Sequence, residues 1–314
     1  MSDKTFDVLV LATMSAGKTS FINALIGQEL LHSANEATTA CITSVEHRPD
    51  SEHFNGICYS HSNRELARHQ NISAALARDW NSNAEVKRIS LSGSFKTVPS
   101  PAPGLVLHDT PGPNNSQDDR HAELMLEAVR TVPFKALCYV LNASQLGTQD
   151  DRIFLEQLRD ELLAKPNLPI YFILNKVDLL DPEKGEDIGT YVSKSHNYLT
   201  AIGFKEPAII PTMANVALYA RKVLKAETLT RAQRLSLRQA LDAFKESKHT
   251  LLQATIAPQG IKNGVLEALG RLERQRHAEV ADEQIREQNA LQQLIAISGI
   301  GTVEALIRNQ RRPA

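Results

Sequence analysis

Short apolar runs alternate with helix-spaced polar segments along most of this chain, and that rhythm predicts a largely parallel sheet covered on both faces. FDVLVLA (Phe6 to Ala12), GLVLH (ending at His108) and PIYFIL (ending before Asn175) read as buried strands, each brief and apolar. ITSVEHR (Ile42 to Arg48) reads as a further strand, and VKRISLSGSF (Val86 to Phe95) as one close to a sheet edge. Helical patterns lie between them. Phe21, Leu25 and Ile26 recur at helical spacing in Ser20 to Gly27, with Gly27 as the stop. Asn63 to Trp80, carrying Leu66, Ile72, Leu76 and Trp80, is predicted to be one helix. Glu123 to Val132, Asp151 to Leu163 and Asn215 to Lys225 are further helices, and the proline-rich TVPSPAPG (Thr97 to Gly104) is a loop.

Beyond Ala226 the pattern becomes purely helical. Leu237, Leu241, Phe244 and Leu251 repeat at helical intervals on a segment ending near Pro258. After Gly260 another helical pattern runs to Ile297, with Val265, Leu269 and Leu272 on one stripe and a highly charged middle, RLERQRHAEVADEQIREQN. Two arrangements fit it equally: a hairpin projecting into solvent, or a plain packed pair of helices. SGIGTVEALIRN (Ser298 to Asn309) ends that helix at a glycine and starts another.

Three polar fragments follow the predicted strands in a telling order. ATMSAGKT (Ala12 to Thr19) sits between a strand and a helix N-terminus, where unpaired N–H groups and the helix dipole favour an anion. Ser15, Ala16, Gly17, Lys18, Thr19 and Ser20 then form a phosphate cradle. Lys18 reaches the β- and γ-phosphates and the Thr19 hydroxyl binds Mg²⁺. Ala12 stands where the usual pattern has glycine, which predicts an altered loop and not a lost one. DTPG (Asp109 to Gly112) ends the second strand. Asp109 is suited to hold a Mg²⁺-bound water, and the Gly112 amide to meet the γ-phosphate. NKVD (Asn175 to Asp178) ends the third. Asp178 can accept from both the ring N–H and the amine of guanine, a donor pair that adenine lacks. Asn175 would tie this loop to the phosphate loop, and the Lys176 stem would cover the base. Each fragment alone is compatible with an ordinary turn. Their order and strand-end context instead indicate an α/β P-loop NTPase with a mostly parallel central sheet flanked by helices, plus a C-terminal helical hairpin.

TMSAGKTSFINALIG (Thr13 to Gly27), TTACIT (Thr38 to Thr43), LHDTPGPN (Leu107 to Asn114) and ILNKVDLL (Ile173 to Leu180) together resemble the GTPase domain of dynamin-like proteins, most closely the bacterial ones. IIPTMA (Ile209 to Ala214) resembles that family's second base loop, which implies nucleotide contacts from Thr212 and Met213. The resemblance implies a Mg²⁺-dependent enzyme that binds GTP and GDP and hydrolyses GTP. It implies that Thr39 is the switch threonine that completes the Mg²⁺ shell beside Thr19 and Asp109. It further implies that Ser15, Lys18 and Thr39 are the catalytic residues, and that the GTPase domain associates with a second copy. On this reading residues 1–226 form the GTPase domain, closed by residues 299–314, and residues 227–298 form a short stalk-like or inserted hairpin. Two departures stand out. Met14 stands where eukaryotic dynamins carry a polar residue that helps place the attacking water, and LLHSANEA lacks the glycines with which those proteins hold a stimulating monovalent cation, so the resemblance does not extend to that cation. Pro113 also replaces the water-orienting glutamine of Ras-like enzymes.

The formal charge of −1 removes any global field toward nucleic acid, so no nucleic acid partner is expected. The absence of a following basic RNA-binding domain likewise disfavours a ribosome-associated GTPase of the Era type. Three cysteines, Cys41, Cys58 and Cys138, are too scattered for a disulfide framework, and Cys41 reads as a small buried hydrophobe. His47, His53, His61 and His69 lack ligand spacing. No apolar stretch reaches the ~18 residues of a membrane span. The first strand begins near the N-terminus with Asp3 and Asp7, a pattern unlike a secretory signal. These features predict a cytoplasmic protein, with room for peripheral membrane contact and for a protein partner on the hairpin. The alternative function is a regulatory GTP-dependent switch that binds a protein target without remodelling a membrane.

Overall fold

Apolar β1 (Phe6–Ala12) lies at the centre of a single sheet, because nearly every one of its side chains is buried by packing on both faces. The computed structural model describes residues 5–12, 15–32, 41–97, 99–111, 119–246, 250–278 and 283–311. Chain order continues through α1 (Lys18–Ile26), β2 (Ile42–His47), β3 (Asn55–Ser60), β4 (Glu65–His69), α2 (Ala74–Asn81), β5 (Val86–Gly93), β6 (Leu105–Asp109) and α3 (Asp119–Thr131). It then runs through β7 (Ala136–Asn142), α4 (Gln149–Leu162), β8 (Ile170–Asn175), α5 (Ile188–Ile202), β9 (Ala208–Thr212) and α6 (Ala214–Leu224). The last helices are α7 (Arg231–Glu246), α8 (Thr250–Ala254), α9 (Gln259–Ala278), α10 (Glu283–Ile297) and α11 (Ile300–Gln310).

Among the described residues the strand order is β4-β3-β5-β2-β6-β1-β7-β8-β9. β6, β1, β7, β8 and β9 are parallel to one another, whereas β2 runs antiparallel to β6 and begins an extension ending in the β3–β4 hairpin. The chain leaves β1 with β6 on one side and β7 on the other, so the crevice at its C-terminal end is the topological switch point of the sheet.

Two sequence expectations are corrected here. The helix predicted over Asn63 to Trp80 is a strand followed by a shorter helix. Asn63 and Asn71 take left-handed backbone angles (φ 61 and 55) at turns, and the Ser73 hydroxyl accepts the Leu76 N–H at 3.2 Å to start α2. The Ile72 amide donates to the Phe54 carbonyl at 2.7 Å, so Ile72 anchors a loop to the sheet and belongs to no helical stripe. β5, expected near the edge, has β3 and β4 beyond it. β3 reads weakly because NGICYS has few β-branched residues. α5 was not named from the sequence, although its buried Val192, Ser195, Leu199 and Ile202 recur at helical spacing.

His47 is fully buried and satisfied, its Nδ1 accepting from the Phe95 amide at 2.9 Å and its Nε2 paired with Ser100 at 3.1 Å. Burial pushes the thiol of Cys41 up to about 12, which leaves it an unreactive core residue.

The C-terminal helices join the core. Ile300, Val303, Leu306 and Ile307 of α11 pack in one cluster with Phe21 and Leu25 of α1. Buried Arg221 on α6 donates to the Ala24 carbonyl of α1 and pairs with Glu304 of α11 at 2.6 Å, which ties three helices together. The hairpin of α9 and α10 combines both arrangements considered for it. Leu291, Leu294 and Ile297 are buried at its base, while residues 286–288 of α10 are exposed. Among the described residues no single helix is long and apolar enough to cross a membrane.

Candidate functional site: the crevice after β1

From Ser15 to Gly17 the chain turns sharply into α1. Ser15 (φ 54) and Gly17 (φ 82) both lie in the left-handed region. Serine pays about 1 kcal/mol for that conformation, strain of the kind that accumulates where a loop is shaped for a ligand. Glycine is required at position 17, where a Cβ would also lie 2.8 Å from Asn175 Nδ2. Gly17 caps α1 with no side-chain hydrogen bond, and the first turn holds no acidic residue. Its N–H groups and positive dipole end therefore face the loop.

Lys18 is buried, and its ammonium bonds the Asp109 carboxylate and the Thr110 carbonyl. Those partners stand at the end of β6, with the Thr110 hydroxyl donating to the Val10 carbonyl of β1 at 2.9 Å. The sheet thus positions a cation, a carboxylate and the half-buried Thr19 hydroxyl around one helix N-terminus. Beneath them, His108 bridges Ser44 of β2 (2.9 Å) and Asp7 of β1 (2.8 Å). Burial raises the Asp7 carboxyl, but hydrogen bonds from His108 and Thr5 outweigh it and hold the group below the usual range.

A second loop meets the first. Asn142, Asn175 and Thr212 stand in register at the ends of β7, β8 and β9. Asn175 Nδ2 donates to the Ala16 carbonyl at 2.8 Å, while its Oδ1 accepts from the Thr212 hydroxyl at 3.1 Å and the Ala214 amide at 3.2 Å. One buried side chain joins the phosphate loop to both strand-end loops beside it. Lys176 takes a left-handed angle (φ 66), and a Cβ on Gly17 would be 3.5 Å from its Cε, so its stem lies along the phosphate loop. Asp178, half-buried on the following 3₁₀ turn, has its carboxyl raised by burial against an opposing pull from Lys176. Met213 is buried, and its amide donates to the Ser298 carbonyl at 2.9 Å.

The structure therefore gathers Ser15, Ala16, Gly17, Lys18, Thr19, Ser20, Asp109, Asn175, Lys176, Asp178, Thr212 and Met213 at one end of the sheet. Thr39 and Gly112 lie outside the described residues, as do Met14 and Pro113. Three participants escaped the sequence reading. Asn142 Nδ2 reaches the Ser15 carbonyl at 3.4 Å, and its Oδ1 accepts from Ser144. Its signal was a polar residue closing an apolar strand, the same position Asn175 holds in β8. Ser298 and Gly299 hold the loop after β9, and their signal was only the glycine stop.

The sequence model of the Dynamin family matches residues 8–177. A bacterial dynamin-like protein from Nostoc punctiforme is 27% identical over 248 residues, which cover 73% of this chain and 33% of that protein. One solved structure, of an oligomerised bacterial dynamin pair described as providing a mechanism for the long-range sensing and tethering of membranes, aligns with a TM-score of 0.52 at 19% identity. That alignment covers 91% of this chain and 45% of the other. A second structure under the same description aligns at a TM-score of 0.50. The chain thus spans about a third of the curated relative and under half of the solved chain. A match through more than half of its residues, on a sheet of this topology, makes the chain a member of the dynamin family.

Proposed function

We propose that this chain binds GTP and hydrolyses it to GDP and phosphate, with Mg²⁺ as cofactor. The observation that carries the reading is Asn175, which fastens the loop bearing Asp178 to the loop bearing Lys18 through the Ala16 carbonyl. A site that reads a base must hold it at fixed distance from the phosphates, and this side chain sets that distance. Lys18 and the α1 amides take the phosphate charge, and the Asp178 carboxylate accepts from the guanine N–H and amine. Lys176 covers the base with its stem.

A hydroxyl and a carboxylate supply hard oxygen ligands, and Mg²⁺ is usually held by one or two protein oxygens together with substrate phosphates. Thr19 and Asp109 fit that pattern, and Thr39 is assigned the third position. When bound, the ion neutralises charge on the phosphate oxygens. In the reaction a water oxygen bonds to the γ-phosphorus, and the bridging oxygen leaves on GDP. Ser15, exposed at the lip of the loop, is assigned to that region, and self-association across this face is part of the proposal. Residues 1–226 with 299–314 serve as the GTPase domain, and 227–298 as its inserted hairpin.

Competition binding tests the base assignment. Labelled GTP should be displaced by GTP and GDP but not by ATP, since a site built to bond a specific group rejects the analogue lacking it by up to ~10⁴-fold. Asp178→Asn should weaken guanine nucleotides at least tenfold and keep the wild-type melting curve. Displacement by ATP at similar concentration would overturn the assignment.

A further inference from the structure

A groove of about 530 Å³ runs between the α9–α10 hairpin and the face formed by α6 and α11. That volume lies within the ~300–1,000 Å³ of sites that take a small organic ligand. Its floor is apolar, with Leu224, Val265, Leu272 and Ile295 among the lining residues. α9 contributes Gly264 and Ala268, and a Cβ on Gly264 would meet nothing within 4 Å, so this part of the wall opens into free space. The groove shares no residue with the crevice after β1.

Its polar lining is cationic. Arg221 is neutralised by Glu304 at 2.6 Å, but Lys96, Lys225, Arg271 and Arg308 have no carboxylate within ion-pair distance among the described residues. Among the described residues Lys225 donates to the Gly27 carbonyl. Burial pushes its ammonium down to about 8, and the nearby charges of Arg221 and Lys96 add to that against an opposing pull from Glu227. Uncompensated cations beside an apolar trough favour an anion attached to hydrocarbon, since each part of such a molecule meets its complement.

We propose that this groove binds a single-chain anionic amphiphile, a long-chain fatty acid or lysophospholipid. Its chain lies along Val265, Ala268 and Leu272, and its head group sits among Lys96, Lys225 and Arg308. The test uses the intact chain and the fluorescent fatty acid cis-parinarate. Binding should saturate at one site below the critical micelle concentration. Oleate and lysophosphatidylglycerol should displace the probe at concentrations at least tenfold lower than oleyl alcohol, which has the same chain and no charge, and inorganic phosphate should not displace it. Gly264→Trp, which fills the groove, should weaken binding at least tenfold while GDP affinity and the melting curve stay unchanged. Charge reversal at exposed Lys96 and half-buried Arg308 should weaken oleate and spare oleyl alcohol, and it decides the matter if Gly264→Trp fails to fold.

Absence of saturable binding, equal competition by oleyl alcohol, or displacement by phosphate alone would each overturn the proposal. So would self-association lost in Gly264→Trp without any probe binding, which would assign the groove to a helix of a second copy. Because GDP affinity is measured separately, failure here leaves the nucleotide assignment standing.

Discussion

Asn175 makes three hydrogen bonds with one buried amide, to the Ala16 carbonyl, the Thr212 hydroxyl and the Ala214 N–H. Asn175→Ala would leave all three groups without this partner, at a cost of about 2–4 kcal/mol. The expected outcome is a lowered melting temperature together with at least tenfold weaker GDP binding, measured by thermal unfolding and by fluorescent nucleotide titration. A variant that melts lower but binds GDP normally would show that the tie serves the fold alone. At this scale the sequence was most legible, because NKVD and GKT are local and each element ends where its polar residue begins. Asn142 was not, since its partner Ser15 is remote in sequence and no motif announces it. His108 was also opaque. It closes a strand in the sequence, and only the pairing of β2, β6 and β1 reveals that it joins Ser44 to Asp7.

Among the elements, parallel β1, β6 and β8 were legible because strands buried on both faces are continuously apolar, whereas β7, just as apolar, and β9 were not named as strands from the sequence. The antiparallel extension was not legible. β4 alternates weakly, and its register depends on β3, which depends on β5. The packing of α4 and α5 on the sheet holds a feature that no sequence pattern signals. Asp151 of α4 accepts from the Tyr139 hydroxyl at 2.8 Å and the Tyr198 hydroxyl at 3.2 Å. Burial raises its carboxyl to about 6 in spite of those bonds. The fold therefore favours the neutral form. The stabilisation is whole below the ordinary value of 3.8 and is lost as pH rises through 6. That raised value corresponds to about 3 kcal/mol between the ends of the window. Asp151→Asn keeps an acceptor for one tyrosine, offers an amide N–H to the other hydroxyl and cannot ionise, so its stability should stay flatter between pH 4 and pH 7 than that of the wild type. Denaturant midpoints across that range check it, and parallel curves for the two proteins would remove Asp151 as the cause.

For the whole molecule, the family and the sheet were accessible from three fragments in order, whereas the route of the C-terminal helices was not. Helical periodicity shows a buried stripe but not the surface that covers it, and here α11 packs on α1 and the base of the hairpin packs on α6. Pro113 offers no carboxamide, Met14 no hydrogen bond, and no glycine precedes Thr38 within the LLHSANEA segment. A group supplied by a second molecule raises phosphoryl-transfer rates by ~10³ to 10⁵. GTP turnover per molecule should therefore rise with protein concentration, and GDP with aluminium fluoride should trap dimers seen by light scattering. A fast rate that stays flat on dilution into strict monomers would refute a second-copy contribution.

The bond from the Met213 amide to the Ser298 carbonyl has a consequence in time. Residues 212–214 form one side of the proposed base pocket, yet their anchor is synthesised about 85 residues later, roughly 4–17 s at ordinary translation rates. During that interval a nascent chain already holds β1 to β9, the phosphate loop and Asn175, but has no support behind Thr212. Gly299, pressed against the Pro211 carbonyl and the Thr212 side chain, is the residue whose arrival closes the pocket from behind. Competence to hold a guanine base should then appear late and abruptly during synthesis, after the sheet is complete, so the emerging chain should take up no GTP until α11 can dock.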